Sequence, residues 1–389
     1  MRTSILRGPF LRTTLANFFF FMNFASYFLL PLHVRALGGS EAWIGAVMGT
    51  SGLASLAVLP LIGLSIDRLG RRLFLMAGAI GMTAASLGYL FATSIGPMLF
   101  ACRLLQGLSF AAAFTAATTY AAEFAPVSRR AQALGVFGLS TLLTHAIAPI
   151  VGEEVVGRWG FPTLFLVTTG YTLAALALAI GLPGGNPHHA ATPSAERRLH
   201  PIHWVIATTV AFAGMGFGTV INFIAAFVTS EGFGRVAFFF GAYTATAILT
   251  RSVGAGLSDT FGRRLIIVPT LAVLGVSIVS IAAAHSLAQL AAAGALFGTA
   301  QGLSYPTLHA FLVDLSSQAQ LGRSQALFNG AFNLGVTGSA FAFGVVAEHF
   351  GYRPMFVLAA AMPLAACVVF YVGTTRVEST TELLPVPPP

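Results

Sequence analysis

Lysine is absent from this chain of 389 residues, and charged residues of every kind are scarce. Charged side chains make up 8% of the sequence and hydrophobic ones 56%, whereas a soluble domain carries roughly 25% charged residues. The low charge therefore excludes a protein whose whole surface faces water. All 20 basic residues are arginines, and the net charge is +8. Because most of these arginines lie in the connections between apolar runs, they indicate a membrane topology and no nucleic-acid partner.

Cysteine is nearly absent, which removes the usual framework for disulfides and thiolate metal sites. The two cysteines, Cys102 and Cys367, lie in separate apolar runs and fit small packing residues. The histidines between His188 and His203 form a loose cluster without a recognised ligand spacing. The sequence therefore predicts no metal site and no cofactor.

Long apolar runs are abundant. The mean hydropathy is +0.82, and twelve segments reach the ~20 apolar residues that a bilayer-spanning helix needs. The predicted spans are 12–33, 42–65, 73–93, 97–121, 131–154, 162–182, 203–228, 236–257, 265–284, 287–313, 323–346 and 354–374. The first run is too long for the core of a signal peptide, so we expect it to remain as span 1. The sequence predicts an all-α membrane protein with twelve transmembrane helices, surrounded by a lipid bilayer.

The arginines also predict the orientation. With the N-terminus inside, the cytoplasmic connections and tails hold 14 arginines and the outer loops hold four. Arg12 and Arg323 are the first residues of their spans, and only Arg103 and Arg251 lie farther inside a span. The excess of positive charge on one side predicts a multi-pass protein of the inner (plasma) membrane with both termini in the cytoplasm.

One linker divides the chain. Residues 184–201 are rich in glycine, proline and polar residues, and they separate six spans from six. The predicted domains are an N-terminal six-helix bundle over 1–183, a cytoplasmic linker over 184–201 and a C-terminal six-helix bundle over 202–375. The remaining residues, 376–389, end in Pro-Val-Pro-Pro-Pro and are predicted to form a disordered cytoplasmic tail.

The same motif occurs twice, half a chain apart. It reads GLSIDRLGRR after span 2 and GLSDTFGRR after span 8, and its aspartates, Asp67 and Asp259, are 192 residues apart. Further matches keep the same order and similar offsets: Asn23 with Asn222, Gln106-Gly107 with Gln301-Gly302, Arg130 with Arg323, and Gly160 with Gly351. A repeat of this length in a membrane protein indicates two homologous, pseudo-symmetric bundles with a pathway between them, the layout of a transporter.

With these motifs, the chain resembles the major facilitator superfamily of secondary transporters over essentially its whole length. The Gly-x-x-x-Asp-Arg-x-Gly-Arg-Arg loop and the Arg103-x-x-Gln106-Gly107 stretch look most like the sugar- and drug-efflux branches. The resemblance implies two six-helix bundles that rock about a central cavity. Proton antiporters of this group often carry Gly-Pro-x-x-Gly-Gly in span 5. Here the stretch reads Ala148-Pro-Ile-Val-Gly-Glu153, which is a partial match.

The two motif copies supply the candidate gate residues. The family resemblance implies that Asp67 faces the N-terminus of span 11 and that Asp259 faces the N-terminus of span 5. The helix dipole favours an anion at both positions. Glu123 is expected to pair with Arg129 or Arg130, and Asp314 with Arg323. The alternative is that these residues only keep the loops inside the cell. The gate candidates are Asp67, Arg68, Gly70, Arg71, Arg72, Arg130, Asp259, Arg263, Arg264, Asp314 and Arg323.

Polar side chains within the spans supply the candidate cargo site. Arg103 lies deep in span 4, where an arginine costs at least ~2.5–3.5 kcal/mol unless it faces a cavity or a partner. The family resemblance places it on the pathway, and the alternative is a structural bond to the carbonyls of a neighbouring helix. Arg251 either faces the cavity or extends to the cytoplasm. The cargo-binding candidates are Arg103, Asn23, Tyr27, Gln106, Asn222, Tyr243, Arg251, Gln301, Tyr305, Asn329 and Asn333.

Acidic residues are absent from the middle of every predicted span. His145 lies at the middle of span 5 and can titrate near neutral pH, so it is a candidate proton carrier. A packed, hydrogen-bonded histidine is the alternative. Glu153 at the outer end of span 5 and Glu123 at the inner end of span 4 are further coupling candidates, with solvation at the membrane surface as their alternative.

These features favour a secondary-active transporter that works by alternating access as a monomer. We expect proton-coupled efflux of a small neutral polar, amphiphilic or anionic molecule. Proton-coupled uptake of an organic anion or a sugar is the alternative, and a transporter-fold sensor without flux is a more remote one. An enzyme is not expected, since the sequence has neither a nucleophile–base pair nor a nucleotide-binding loop.

Overall fold

A computed structural model describes residues 8–126, 129–184, 199–317 and 320–382, and every regular element in these ranges is helical. The helices are α1 (Gly8–Ser26), α2 (Leu30–Ala36), α3 (Glu41–Leu69), α4 (Arg71–Gly88), α5 (Pro97–Phe124), α6 (Arg130–Ile180), α7 (Pro201–Ser230), α8 (Ala237–Phe261), α9 (Arg263–Ala282), α10 (Leu287–Asp314), α11 (Leu321–Phe350) and α12 (Tyr352–Glu382). Most of the predicted linker and the last seven residues of the tail lie outside the described residues.

These helices confirm the twelve predicted spans. A short 3-10 turn, Tyr27–Leu29, joins α1 to α2, and together the three elements form span 1. The long helix α6 contains spans 5 and 6, with a break at Gly160, where φ is 78° and ψ is 176°. Glycine permits this left-handed backbone, so two helices meet there without a loop. In the described ranges, nine continuous helical stretches are long and apolar enough to cross a bilayer, one of them the double span 132–180.

The described helices fall into two compact units. The first comprises Met1–Ala191 with Asn222–Thr244, and the second comprises Thr192–Ile221 with Ala245–Pro389. The boundaries of the two homologous halves at 183 and 202 stay a prediction. The last helix, α12, continues to Glu382, so it includes the first seven residues of the tail that was predicted to be disordered. Below, the inner end of a helix is the end that the predicted orientation places in the cytoplasm.

In the first unit, α1 packs along α6, and α5 packs against α3 and α4. Gly107 of α5 lies so close to α3 that a Cβ built on it would be 2.0 Å from the carbonyl oxygen of Ser51. Small residues permit this approach where no hydrophobic force drives helices together. The Gln-Gly match of the repeat is therefore a helix contact between spans 2 and 4.

In the second unit, α9 packs against α10 and α12. Gly302 is the repeat partner of Gly107, and it brings α10 against α8: its Cβ would be 2.8 Å from the carbonyl oxygen of Ala247. The two equivalent glycines thus lie at equivalent helix contacts, between spans 2 and 4 in one half and between spans 8 and 10 in the other. This match supports the internal repeat in packing as well as in sequence.

Candidate functional site

The two motif copies form the same turn. Gly70 joins α3 to α4 with φ 87° and ψ 143°, and Gly262 joins α8 to α9 with φ 87° and ψ 140°. A side chain would be strained at this φ, which explains why both copies carry glycine there. The side chains of Asp67 and Asp259 lie outside the part of the structure that is described, so their contacts with helix N-termini stay a prediction.

An arginine–carboxylate pair follows each turn. Arg71 of α4 binds Glu123 of α5 at 2.8 Å, and Arg263 of α9 binds Asp314 of α10 at 2.5 Å. The two arginines are 192 residues apart and the two acids 191, so the pairs are equivalent in the repeat. Each pair ties together the inner ends of two neighbouring helices.

These pairs correct the predicted partners of both acids. The prediction paired Glu123 with Arg129 or Arg130, and Asp314 with Arg323. Instead, Arg130 donates from Nε and Nη2 to the carbonyl oxygen of Ala122, at 3.1 and 2.8 Å. Arg129 donates from Nε to Gln132 at 3.0 Å. Nearness in sequence misled the prediction, because the arginine after each glycine turn begins the adjacent helix and faces the acid directly.

The second arginine of each motif binds another helix. Arg72 donates to the carbonyl oxygen of Ile180 at 2.6 Å, at the inner end of α6, and Arg264 donates to the hydroxyl of Thr374 in α12. A helix C-terminus leaves carbonyls without partners and favours positive charge. In each half, the two arginines thus connect the helix that follows the turn to two other helices, while Arg68 is exposed at the end of α3.

Three nitrogens of the Arg103 side chain donate hydrogen bonds to acceptors in α3 and α5. Its Nε donates to the carbonyl oxygen of Val47 at 3.0 Å, and its Nη2 donates to that of Met48 at 3.1 Å. Its Nη1 donates to Oε1 of Gln106 at 2.9 Å. With 5% of its surface exposed, this arginine matches the structural alternative raised for it. A contact with cargo stays a prediction.

The other polar candidates of span 1 and α5 belong to two buried groups of hydrogen bonds. Asn23 donates from Nδ2 to Ser86 Oγ at 2.8 Å and to the carbonyl oxygen of Thr168 at 2.9 Å. The phenol of Tyr27 donates to the same Ser86 Oγ at 3.0 Å. A second tyrosine, Tyr89, donates to Gln106 Oε1 at 2.7 Å. The predicted site did not include Ser86, Thr168 and Tyr89, because hydroxyl residues are frequent in these spans and carry no charge to mark them.

His145 meets a polar partner from α8. Its Nδ1 lies 3.5 Å from the hydroxyl of Tyr243, and its ring packs edge-on against Phe28 at 5.3 Å. The histidine is half-buried, whereas Tyr243 is buried, as is the candidate Asn222. Two predicted residues are therefore in contact in the first unit. Proton transfer at His145 stays a prediction.

Glu153 caps the N-terminus of α8. Its Oε1 accepts the N–H of Val236 at 2.7 Å, and its Oε2 accepts that of Ala237 at 2.9 Å. The adjacent Glu154 binds Arg235 at 2.9 Å and Arg158 at 2.5 Å. Together with Leu29, Leu32, Val156 and Gly157, these charged residues line a cavity of about 370 Å³. The solvated carboxylate considered as the alternative for Glu153 is not what the structure shows, since both of its oxygens accept backbone hydrogen bonds.

The candidates of α10 and α11 lie together in the second unit. Tyr305 donates its hydroxyl hydrogen to Oδ1 of Asn329 at 3.3 Å, and Asn333 donates from Nδ2 to the carbonyl oxygen of Asn329 at 2.9 Å. Gln301 and Tyr305 also line a cavity of about 10 Å³ with Phe332, which has room for about one water molecule. Aromatic rings surround this group: Tyr305 contacts Phe332 with ring centres 5.0 Å apart.

Known proteins agree with this architecture. The profile of the Major Facilitator Superfamily matches residues 13–240 and 206–385. The uncharacterised MFS-type transporter YhhS of Escherichia coli K12 is 26% identical over 366 residues, covering 89% of each chain. The multi-drug resistance efflux pump PmrA of Streptococcus pneumoniae TIGR4 is 24% identical over 347 residues, covering 84% of this chain and 86% of its own. The crystal structure of a point mutant of the nucleoside transporter NupG superposes with a TM-score of 0.81 at 13% identity, covering 94% of this chain and all of the other. The chain belongs to the major facilitator superfamily and is a multi-pass membrane transporter.

Proposed function

We propose that the protein is a secondary-active, proton-coupled exporter of a small organic molecule and that it works by alternating access. The observation that carries this proposal is the duplicated inner-end network: a glycine turn, an arginine–carboxylate pair and an arginine on a further helix in each half. A network of this kind can set the balance between two conformations if its contacts differ between them. Both termini lie in the cytoplasm in this proposal, as the arginine count predicts.

The outer side of the cycle involves Glu153. Its carboxylate binds two N–H groups at the start of α8, where the helix dipole also favours negative charge. Protonation would remove the negative charge and leave only weaker hydrogen bonds. A proton from outside can therefore loosen this contact and admit the outward-open state. His145, bonded to Tyr243, is the second proton carrier in this scheme.

Export is favoured over uptake by one observation. The relative PmrA is named as a multi-drug resistance efflux pump. The fold itself serves either direction, so uptake by symport is the second candidate.

The polar candidates favour a neutral polar, amphiphilic or anionic cargo. Amide and phenol groups such as those of Gln301, Tyr305 and Asn329 bind uncharged or anionic acceptors, and the aromatic rings beside them suit an apolar body. Among the described residues of α10, the only acid is Asp314 at its last position, bound to Arg263. A lipophilic cation would lack a counter-charge on that helix.

The test combines binding with flux. Purified protein is screened by thermal shift against sugars, carboxylates, drugs and lysolipids, since a ligand that binds the folded state raises its apparent stability. Each hit is then followed in proteoliposomes under an imposed pH gradient. We expect the cargo to move against the proton flow and to stop when an ionophore collapses the gradient. Movement with the protons would establish uptake, and binding without any flux would overturn transport in favour of a sensor.

A further inference from the structure

Arg251 lies within the membrane-spanning part of α8. It is 14 residues from Ala237 at the outer end of the helix and six from residue 257, where the predicted span ends, or about 21 and 9 Å along the axis. An arginine at such depth is costly unless it faces a partner or a polar cavity. Its position therefore requires an explanation in terms of the groups around it.

The side chain lies on the interior face of α8. Ala247 and Gly254, four residues before and three after Arg251, are on the buried side of the helix, and Gly254 packs against Leu303 of α10. Leu249 and Val253 form the opposite side and are 62% and 63% exposed, as lipid-facing residues are. The register therefore turns Arg251 away from lipid and toward α10.

The buried Nε of this guanidinium has no hydrogen-bond acceptor among the described residues. The nearest acid along α8 is Asp259, eight residues away, or about 12 Å along the axis. Arg103 differs sharply, because three of its nitrogens bind protein acceptors. Of these two arginines, Arg251 is therefore the better candidate for binding an anion from outside the protein.

Two groups of the second unit complete the surroundings. The charge of Arg251 acts electrostatically on the phenol of Tyr305, which donates to Oδ1 of Asn329. With its oxygen engaged in this way, Asn329 presents N–H donors. The group therefore contains a positive charge and amide N–H donors. The rings of Phe328 and Phe332 stand beside Tyr305, with centres 5.4 and 5.0 Å from it.

We propose that Arg251, assisted by Tyr305 and Asn329, binds the anionic group of an aromatic or amphiphilic cargo, with a carboxylate as the preferred group. A guanidinium matches a carboxylate in a bidentate fork, and the neighbouring rings accept the apolar body. This assignment rests on the proposed transport function and narrows its cargo to organic anions.

Paired probes test the site in the purified full-length protein. Titration calorimetry measures binding of 1-naphthoate and of 1-naphthamide, which has the same rings without the charge. We expect the wild type to bind naphthoate at least tenfold more tightly, and Arg251→Gln to lose this preference. Arg251→Lys should keep part of it, because it retains the charge without the fork. Arg376→Gln, which removes an exposed arginine at the end of span 12, is the matched control.

A second measurement uses only the wild type, so it does not depend on whether the variants fold. In the wild type, phenylglyoxal modifies accessible arginines, and peptide mass spectrometry reads the extent at Arg251. Naphthoate should slow this modification and naphthamide should not. Equal binding of the two probes by the wild type, an unchanged preference in folded Arg251→Gln, or the absence of protection would each overturn the site. These experiments measure binding and do not measure flux. If the anion site failed but the protein still transported an uncharged cargo, the proposed transport function would remain supported.

Discussion

The two arginines within the spans show two ways of placing a guanidinium in a membrane. Arg103 gives its hydrogens to the carbonyls of Val47 and Met48 and to Gln106, so it acts as a bridge between α5 and α3. Arg251 has no such acceptor for its Nε in the described part of the chain and is assigned to the cargo. A charge inside the bilayer marks a special position in either case, and only its partners distinguish structure from binding.

Arg103→Ala should destabilise the protein. The variant loses three hydrogen bonds from the guanidinium, and a hydrogen bond to a charged group contributes about 1.5–3 kcal/mol. Thermal unfolding of the purified variant should therefore begin well below that of the wild type. Arg103→Lys should recover part of the loss, since one ammonium can reach fewer acceptors. Arg158→Ala, at a side chain 65% exposed, is the control for removing an arginine and should change the melting temperature little. Wild-type stability combined with lost ligand binding in Arg103→Ala would instead place this arginine at the cargo.

At the scale of elements, helix ends in this protein are completed by side chains from distant parts of the chain. Arg72 and Arg12 bind the carbonyls of Ile180 and Gly181 at the end of α6, and Arg353 binds those of Ala282 and Ala284 after α9. Glu153 does the reverse at the start of α8. Each contact matches the sign of the side chain to the helix dipole, so helix termini serve as the attachment points between elements.

Glu153→Gln tests the contact between α6 and α8. An amide can accept through one oxygen only, so one N–H loses its partner and the charge-assisted bonds become ordinary ones. We expect a shift toward outward-open states, read as faster labelling of Leu32→Cys in the outer cavity by an impermeant maleimide. The background replaces Cys102 and Cys367 by alanine. Glu154→Gln, which affects more exposed pairs, should have a smaller effect. Unchanged labelling in Glu153→Gln would mean that this contact does not hold the outer side closed.

Across the whole molecule, the two halves share the geometry of the glycine turn and of the ion pair after it, but the ion pairs differ in their exposure to water. The turns at Gly70 and Gly262 are alike, and both halves carry the arginine–carboxylate pair. Burial differs, however. The side chains of Arg71 and Glu123 are 6% and 28% exposed, whereas those of Arg263 and Asp314 are 23% and 53% exposed. Water therefore screens the second pair more than the first.

Double-mutant cycles on the two pairs should reveal this asymmetry. The cycle of Arg71→Gln with Glu123→Gln should give a coupling energy of about 1.5–3 kcal/mol, typical of a sheltered hydrogen bond to a charged group. The equivalent cycle of Arg263→Gln with Asp314→Asn should give about 0.2–1 kcal/mol, as exposed ion pairs do. Unfolding of the purified variants in denaturant measures both, and each cycle serves as the control for the other. Equal coupling energies would show that burial does not separate the two halves.

The twelve helices, the internal repeat and the family could all be predicted from the sequence. These properties depend on local hydrophobicity, on glycines at positions such as 70, 160, 262 and 351, and on a repeat visible residue by residue. The predicted spans agree with the helices because the bilayer imposes the same length and the same internal hydrogen bonding on every segment.

The partners of the polar residues, in contrast, become visible only when the helices are packed together. Glu123 was assigned to arginines close in sequence and instead binds Arg71, and Arg103 turned out to bind helix carbonyls. Arg251 was separated from Arg103 only by its lack of an acceptor among the described residues. The physical reason is that a hydrogen bond between helices depends on distances of about 3 Å. Such distances follow from which helices pack together and in what rotation, and neither is written in the local sequence of a single span.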